Sequence, residues 1–131
     1  LGELRQRLAR DTSMAWAAYV VGALAVLMHE EGVSFSSGMS FIIRSHVPEG
    51  KGVSSSAAVE VSAMMALMAA HGVTVAAPER VAVLCQMVEN LVVGAPCGIM
   101  DQMASTLGQR GQLLSLLCRP AHVQPPVRIP Q

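Results

Sequence analysis

The stretch Pro48-Glu49-Gly50-Lys51-Gly52-Val53-Ser54-Ser55-Ser56-Ala57-Ala58 separates two segments of different periodicity. Ahead of it, Phe35, Met39, Phe41, Ile43 and Val47 share one parity, and Ser36, Gly38, Ser40, Arg44 and His46 share the other. Period two predicts a half-buried strand, with Ile42 as the break in the alternation. Behind it, Ala57 to Ala70 holds only Glu60 and Ser62 as polar residues, which predicts a helix buried on most sides and closed by Gly72. One proline and two glycines within Pro48–Gly52 mark a loop. The order is therefore strand, glycine loop, serine run, helix.

That order suits an anion. Glycines let backbone N–H groups approach a ligand without side-chain obstruction. A helix N-terminus adds unpaired N–H groups and the positive end of the dipole. Hydroxyls of Ser54, Ser55 and Ser56 can cap the helix, donate to phosphate oxygens or ligate a hard cation, and Lys51 can neutralise phosphate charge. The loop is not a Walker A motif, because Gly50 and Gly52 stand too close together. From the residues alone two readings stay open: a phosphate loop, or a glycine turn with serine caps before a core helix.

Working outward, Asp11, Thr12 and Ser13 offer N-caps for an apolar helix from Met14 to Met28 that ends before Gly32. Leu1, Leu4 and Leu8 oppose Arg5, Arg7 and Arg10, the pattern of an amphipathic helix with a solvated basic face. Pro78 suits the first position of a helix whose apolar stripe is Val81, Leu84, Val88, Leu91 and Val92, ended by Gly94 and Pro96. A shorter helix is expected over 98–107, then a strand over 112–118, then an irregular tail over 120–131. The fold class is α+β, with helices packed on a small sheet, and the 131 residues read as a fragment of a single domain, cut at both ends from a longer chain. Two strands alone do not make a stable sheet, so further strands are expected from outside the sequence.

Two carboxylates stand out. Glu89 lies on the helix that starts near Pro78, and Asp101 follows twelve residues later at the start of the next, with the bend Gly94-Ala95-Pro96 between them. Phosphoryl transfer needs one group to hold the Mg²⁺ that bridges nucleotide phosphates and another to orient or deprotonate the attacking hydroxyl. A first-turn position favours the ionised form of Asp101. Each residue taken singly also reads as an ordinary helix acid. Glu60, in an otherwise apolar helix, needs a buried partner and is expected to be structural.

Composition closes other routes. Nine basic residues balance nine acidic ones and aromatics make up only 3%, so neither the field nor the stacking surface of a nucleic-acid binder is present. The fifteen-residue apolar run Met14–Met28 falls short of the about 20 residues of a membrane span. Cys85, Cys97 and Cys118 match no zinc or redox spacing, which points to a reducing, cytoplasmic compartment, and the four histidines are scattered.

The loop Pro48–Ala58 resembles the second motif of the GHMP small-molecule kinases, and Gly94-Ala95-Pro96-Cys97-Gly98-Ile99-Met100-Asp101-Gln102 resembles the stretch around the catalytic aspartate in their galactokinase branch. Within that branch, 47–61 and 88–103 are most similar to the L-arabinokinases, since galactokinases usually carry Leu where Val53 stands and Ser where Ala58 stands. The resemblance implies the N-terminal ATP-binding domain of that family, a fold related to ribosomal-protein domains, and an ATP- and Mg²⁺-dependent sugar-1-kinase. It implies that Gly50, Lys51, Gly52, Val53, Ser54, Ser55 and Ser56 hold the nucleotide phosphates, that Ser56 and Glu89 ligate Mg²⁺, and that Asp101 faces the sugar hydroxyl. Cys97 and Gly98 would lie beside the sugar, with Cys97 a pocket wall rather than a nucleophile. The family's first motif, with an arginine and much of the sugar contact, would precede Leu1, and a third glycine-rich motif would follow Gln131. Activity is therefore expected to need those flanking parts.

Three functions compete: a sugar-1-kinase for L-arabinose or for galactose, a non-catalytic nucleotide or sugar sensor on the same fold, and a nucleic-acid module. The set Ser56, Glu89 and Asp101 favours the enzyme, and the neutral charge disfavours the last. The expected partners are a monosaccharide and ATP, with no nucleic acid and no membrane.

Overall fold

The computed structural model describes residues 1–118 and 121–130. It contains α1 (Gly2–Leu8), a 3₁₀ turn (Thr12–Met14), α2 (Ala17–Glu30), α3 (Ser55–His71), α4 (Pro78–Met87), a π-helical segment (Val88–Val93), α5 (Met100–Leu107), β1 (Gln112–Cys118) and β2 (Ala121–Arg128). The α+β class stands, with helices beside a two-stranded antiparallel sheet.

The main core is made where α2, α3, α4 and the π segment converge. Val26 and Leu27 of α2, Met64 of α3, Leu84 of α4 and Val88 of the π segment are fully buried there. Leu4 and Leu8 of α1, with Leu1 at its N-cap, cover one side of it, as the amphipathic pattern predicts. Gly22 lets α2 approach the π segment: a Cβ there would stand 2.6 Å from Val88 Cγ1. A smaller core of Ala82, Ile99 and Met103 joins α4 and α5 to Leu114, Leu116 and Val123 of the sheet. Across the top, Arg80 Nε donates to Glu31 Oε1 at 2.8 Å and ties the end of α2 to the first turns of α4.

Several boundaries match the sequence. Pro78 opens α4, Gly72 closes α3 with φ 63°, and β1 spans 112–118 as expected. Asp11 caps the 3₁₀ turn, its Oδ1 accepting from the Ser13 amide at 3.0 Å, and α2 begins at Ala17 rather than Met14.

Four expectations are corrected. Residues 35–47 form no strand, because the described segment beside them is helix α3, whose backbone is already paired within itself and offers no ladder bonds. The tail is not irregular between 121 and 128: it pairs with β1, Leu113 facing Val127 and Ser115 facing Gln124. Pro125 and Pro126 fall at the register shift opposite Leu114, where missing N–H donors are tolerated; Pro120 and Gln131 lie outside the described residues. Helix α3 is covered on one face only, with Met65 exposed on the other. Leu91, assigned to the apolar stripe, is 43% exposed, because the wider π turn shifts the phase of every residue after Val88.

Candidate functional site

The serine turn has the backbone that an anion needs. Gly50, Gly52 and Ser54 have φ of 65°, 68° and 57°, a sign that alternates along the loop and resembles the anion-binding concavities formed by residues of alternating hand. A Cβ at Gly50 or Gly52 would meet nothing within 4 Å, so the approach to this backbone is open. Ser54, in the left-handed region that side chains rarely adopt, is the N-cap of α3 and makes no side-chain cap hydrogen bond. The first intrahelical bond runs from Ala58 N to Ser54 O at 3.1 Å, which leaves the amides of Ser55, Ser56 and Ala57 ahead of the ladder. Lys51 and Val53 are exposed at the crest, and Ser55 and Ser56 are half-buried at its base.

Beside this turn lies a cleft of about 420 Å³. Ser55 and Ser56 line one side, Trp16 and Tyr19 another, and Ile43 and Val47 the floor. The Trp16 indole, at the approach to α2, is 56% exposed. Burial, and then the carboxylates of Glu89 and Glu60, push the Tyr19 phenol pKa up, so this cleft wall backs onto the acidic groups.

Those groups form a buried cluster. One turn below Ser56 on α3, Glu60 is fully buried; Glu89 on the π segment is 9% exposed; Gln102 on α5 is fully buried. Gln102 Nε2 donates to Glu89 Oε2 at 2.7 Å and stands 3.4 Å from Glu60 Oε2 and 3.7 Å from Cys97 Sγ. Burial, with Glu89 close by, pushes Glu60 up to about 8, so Glu60 is mostly neutral at pH 7. The buried partner that Glu60 demanded is Gln102, together with a proton.

The π turn explains how Glu89 comes to be buried. Gly94 N and Ala95 N both donate to Glu89 O, at 2.9 and 3.0 Å, and Gly94 completes the turn with φ 82°. The chain then doubles back. Cys97 N donates to Asn90 Oδ1 at 2.8 Å, and Gln86 Nε2 donates to Cys97 O at 3.1 Å, so both backbone groups of Cys97 are held by the helix it has just left. Burial, then hydrogen bonding to Glu89, pushes the Cys97 thiol up to about 11, which disfavours the thiolate. Gly98 is exposed, and Asp101 is half-buried in the first turn of α5, directly before Gln102.

Of the residues singled out in the sequence, Glu89 and Cys97 meet in one cluster, and Asp101 is attached to it through Gln102. Gly50 to Ser56 form a separate rim across the cleft, joined to the cluster by the first turns of α3. Trp16, Tyr19, Gln86, Asn90 and Gln102 were missed. Gln102 left a signal: it sits between Ile99 and Met103 on the apolar face of its helix. Asn90 and Gln86 left none, since their partner is backbone. Among the described residues no group of three or more His, Cys, Asp or Glu side chains is placed to hold a metal ion, and no helix is long and apolar enough to cross a membrane.

The family model described as GHMP kinases N terminal domain matches residues 18–109, most of the chain and all of the site just described except Trp16. The chain belongs to the GHMP kinase family. This GHMP domain is 54% identical over 126 residues to an L-arabinokinase of Arabidopsis thaliana, an alignment covering 96% of the chain and 12% of that relative. It is 42% identical over 106 residues to a galactokinase of Bos taurus, covering 79% of the chain and 25% of the relative. It is 36% identical over 110 residues to a galactokinase of Actinobacillus pleuropneumoniae serotype 3, covering 84% and 28%. The GHMP domain thus spans less than a third of the length of these relatives.

Proposed function

We propose that this chain is the part of an ATP-dependent sugar kinase that holds the nucleotide phosphates and supplies the catalytic carboxylate, and that its product is a sugar 1-phosphate. The observation that carries the reading is the uncapped serine turn at the start of α3, opening on a cleft whose far wall backs onto Glu89. The higher identity to an L-arabinokinase favours L-arabinose as the acceptor, with galactose second.

The residues fit the nucleotide. The amides of Ser55 to Ala57 and the open backbone of Gly50 and Gly52 suit phosphate oxygens. The aromatic wall of Trp16 and Tyr19 suits the flat base. They also fit Mg²⁺, which is commonly bound by one or two carboxylates together with substrate phosphates rather than by an all-protein cage. Glu89 would be that carboxylate and Ser56 the hydroxyl beside it. When bound, ATP supplies the phosphoryl group and Mg²⁺ offsets its charge.

In this reading, the loop residues Gly50, Lys51, Gly52, Val53, Ser54, Ser55 and Ser56 position the phosphates in line with the acceptor. Asp101 accepts or orients the anomeric hydroxyl proton, and Cys97 and Gly98 form the wall against which the sugar lies. Asn90 and Gln86 hold that wall in place.

The test is a chimaera in which this chain replaces the aligned 126 residues of the Arabidopsis protein. Purified, it is assayed with ATP against L-arabinose and D-galactose. Phosphorylation of either sugar, abolished by Asp101→Asn in a folded protein, supports the kinase. ATP binding without turnover of either sugar would leave a sensor and overturn it.

A further inference from the structure

Gln102 is the least expected member of the buried cluster. A fully buried amide is costly unless its polar atoms are paired, and a leucine or methionine of similar size would fill the same space at lower cost. Among the described residues, neither Gln102 Oε1 nor Glu60 Oε1 has a hydrogen-bond partner. The side chain is therefore not placed to satisfy itself. Its donor end is aimed at a carboxylate: the contact to Glu89 Oε2 is 2.7 Å, within the range of charge-assisted bonds, against 3.4 Å to Glu60. The opposite amide orientation would set the carbonyl oxygen against the Glu89 carboxylate, two acceptors in contact, so chemistry fixes which end faces Glu89.

The place of the amide in the fold adds to this. It touches groups from three other elements: Glu60 from the helix that begins at the serine turn, Glu89 from the π segment, and Cys97 from the doubled-back loop. Its own backbone adjoins Asp101.

We propose that Gln102 is a positioning residue that fixes the Glu89 carboxylate for a divalent cation and locks the helix bearing Asp101 to it. The inference rests on the kinase reading given above. A glutamine that only filled space would affect stability alone. One that positions Glu89 affects cation binding through Glu89 and through nothing else.

The experiment uses the full-length chimaera and compares Gln102→Met, Glu89→Gln and the double variant. Unaltered protein is assayed first. Its failure to phosphorylate either sugar would overturn the kinase reading and this inference together. Given turnover, Mn²⁺ affinity is measured by electron paramagnetic resonance with a non-hydrolysable ATP analogue, beside kcat, sugar KM and the Mg²⁺ concentration for half-maximal rate. Gln102→Met is expected to weaken Mn²⁺ binding and raise the Mg²⁺ requirement about 10-fold or more, the scale on which residues behind metal ligands act, with sugar KM little changed. In the Glu89→Gln background the same change is expected to add nothing. A drop in stability with unchanged Mn²⁺ affinity, or an additive effect in the double variant, would overturn the positioning role while leaving the kinase intact.

Discussion

The side-chain oxygen of Asn90 accepts the Cys97 amide at 2.8 Å across the bend Gly94–Pro96, so a residue of the wide helical turn holds the loop that folds back over it. Replacing Asn90 by Ala leaves that N–H without its acceptor in a half-buried setting. A loss of about 1 kcal/mol is expected from urea unfolding, at the low end for a partly buried unpaired donor. In the active chimaera the sugar KM should rise more than the ATP KM if, as proposed, the loosened loop is the wall against which the sugar lies.

Asp101→Asn keeps size and hydrogen-bonding shape at a half-buried position, so the thermal midpoint should stay within a few degrees. Loss of the carboxylate should lower kcat on the order of 10²-fold or more, the contribution usual for a positioned proton acceptor. Steady-state rates beside a melting curve separate the two.

Gly22→Ala should destabilise by about 1–3 kcal/mol, the usual cost of overpacking. The new methyl would meet Val88 Cγ1 at 2.6 Å and Val92 at 3.3 Å. Denaturant midpoints of the two proteins decide it. An unchanged midpoint would show that α2 and the π segment are not seated against each other as described.

Glu60 gives the protein a pH dependence of known sign. Its pKa is raised from 4.5 to about 8 in the folded state, so between those values the folded protein binds a proton that the unfolded chain has lost. Stability is therefore full below about pH 4.5, as far as this group is concerned, and falls as pH rises towards 8, at a slope of at most about 1.4 kcal/mol per pH unit. Glu60→Gln, which stays neutral, should flatten the profile between pH 5 and 8 when unfolding is followed by circular dichroism.

How much of this the sequence disclosed follows from where the determining contacts lie. A helix start was legible at Pro78 and a helix stop at Gly72, because caps and prolines act within one turn, whereas Asp11 caps the 3₁₀ turn ahead of α2 and not α2 itself. β1 was legible from its own pattern, whereas β2 was hidden by Pro125 and Pro126, which argue against a strand unless the register is known to slip there. The alternation in 35–47 was real, but a strand is a property of two segments and no described neighbour pairs with this one. At the site, the serine turn and Glu89 could be named from spacing. Asn90 and Tyr19 could not, because their partners lie 7 or many more residues away in the chain, and Gln102 showed only as a polar residue on an apolar helix face, without its partners. The π turn, which alters the phase of Leu91, leaves no composition signal at all.

The unpaired segment before the serine turn also governs how this chain behaves in a test tube. Phe41, Ile42 and Ile43 follow one another at the surface, with Ile42 99% exposed, and they border a groove of about 530 Å³ against the bare side of α3. Consecutive β-branched and aromatic residues with open backbone are the seeds of cross-β stacking. Expressed by itself, the 131-residue chain should cloud and scatter light increasingly with concentration, and Ile42→Lys should delay that clouding without touching either core.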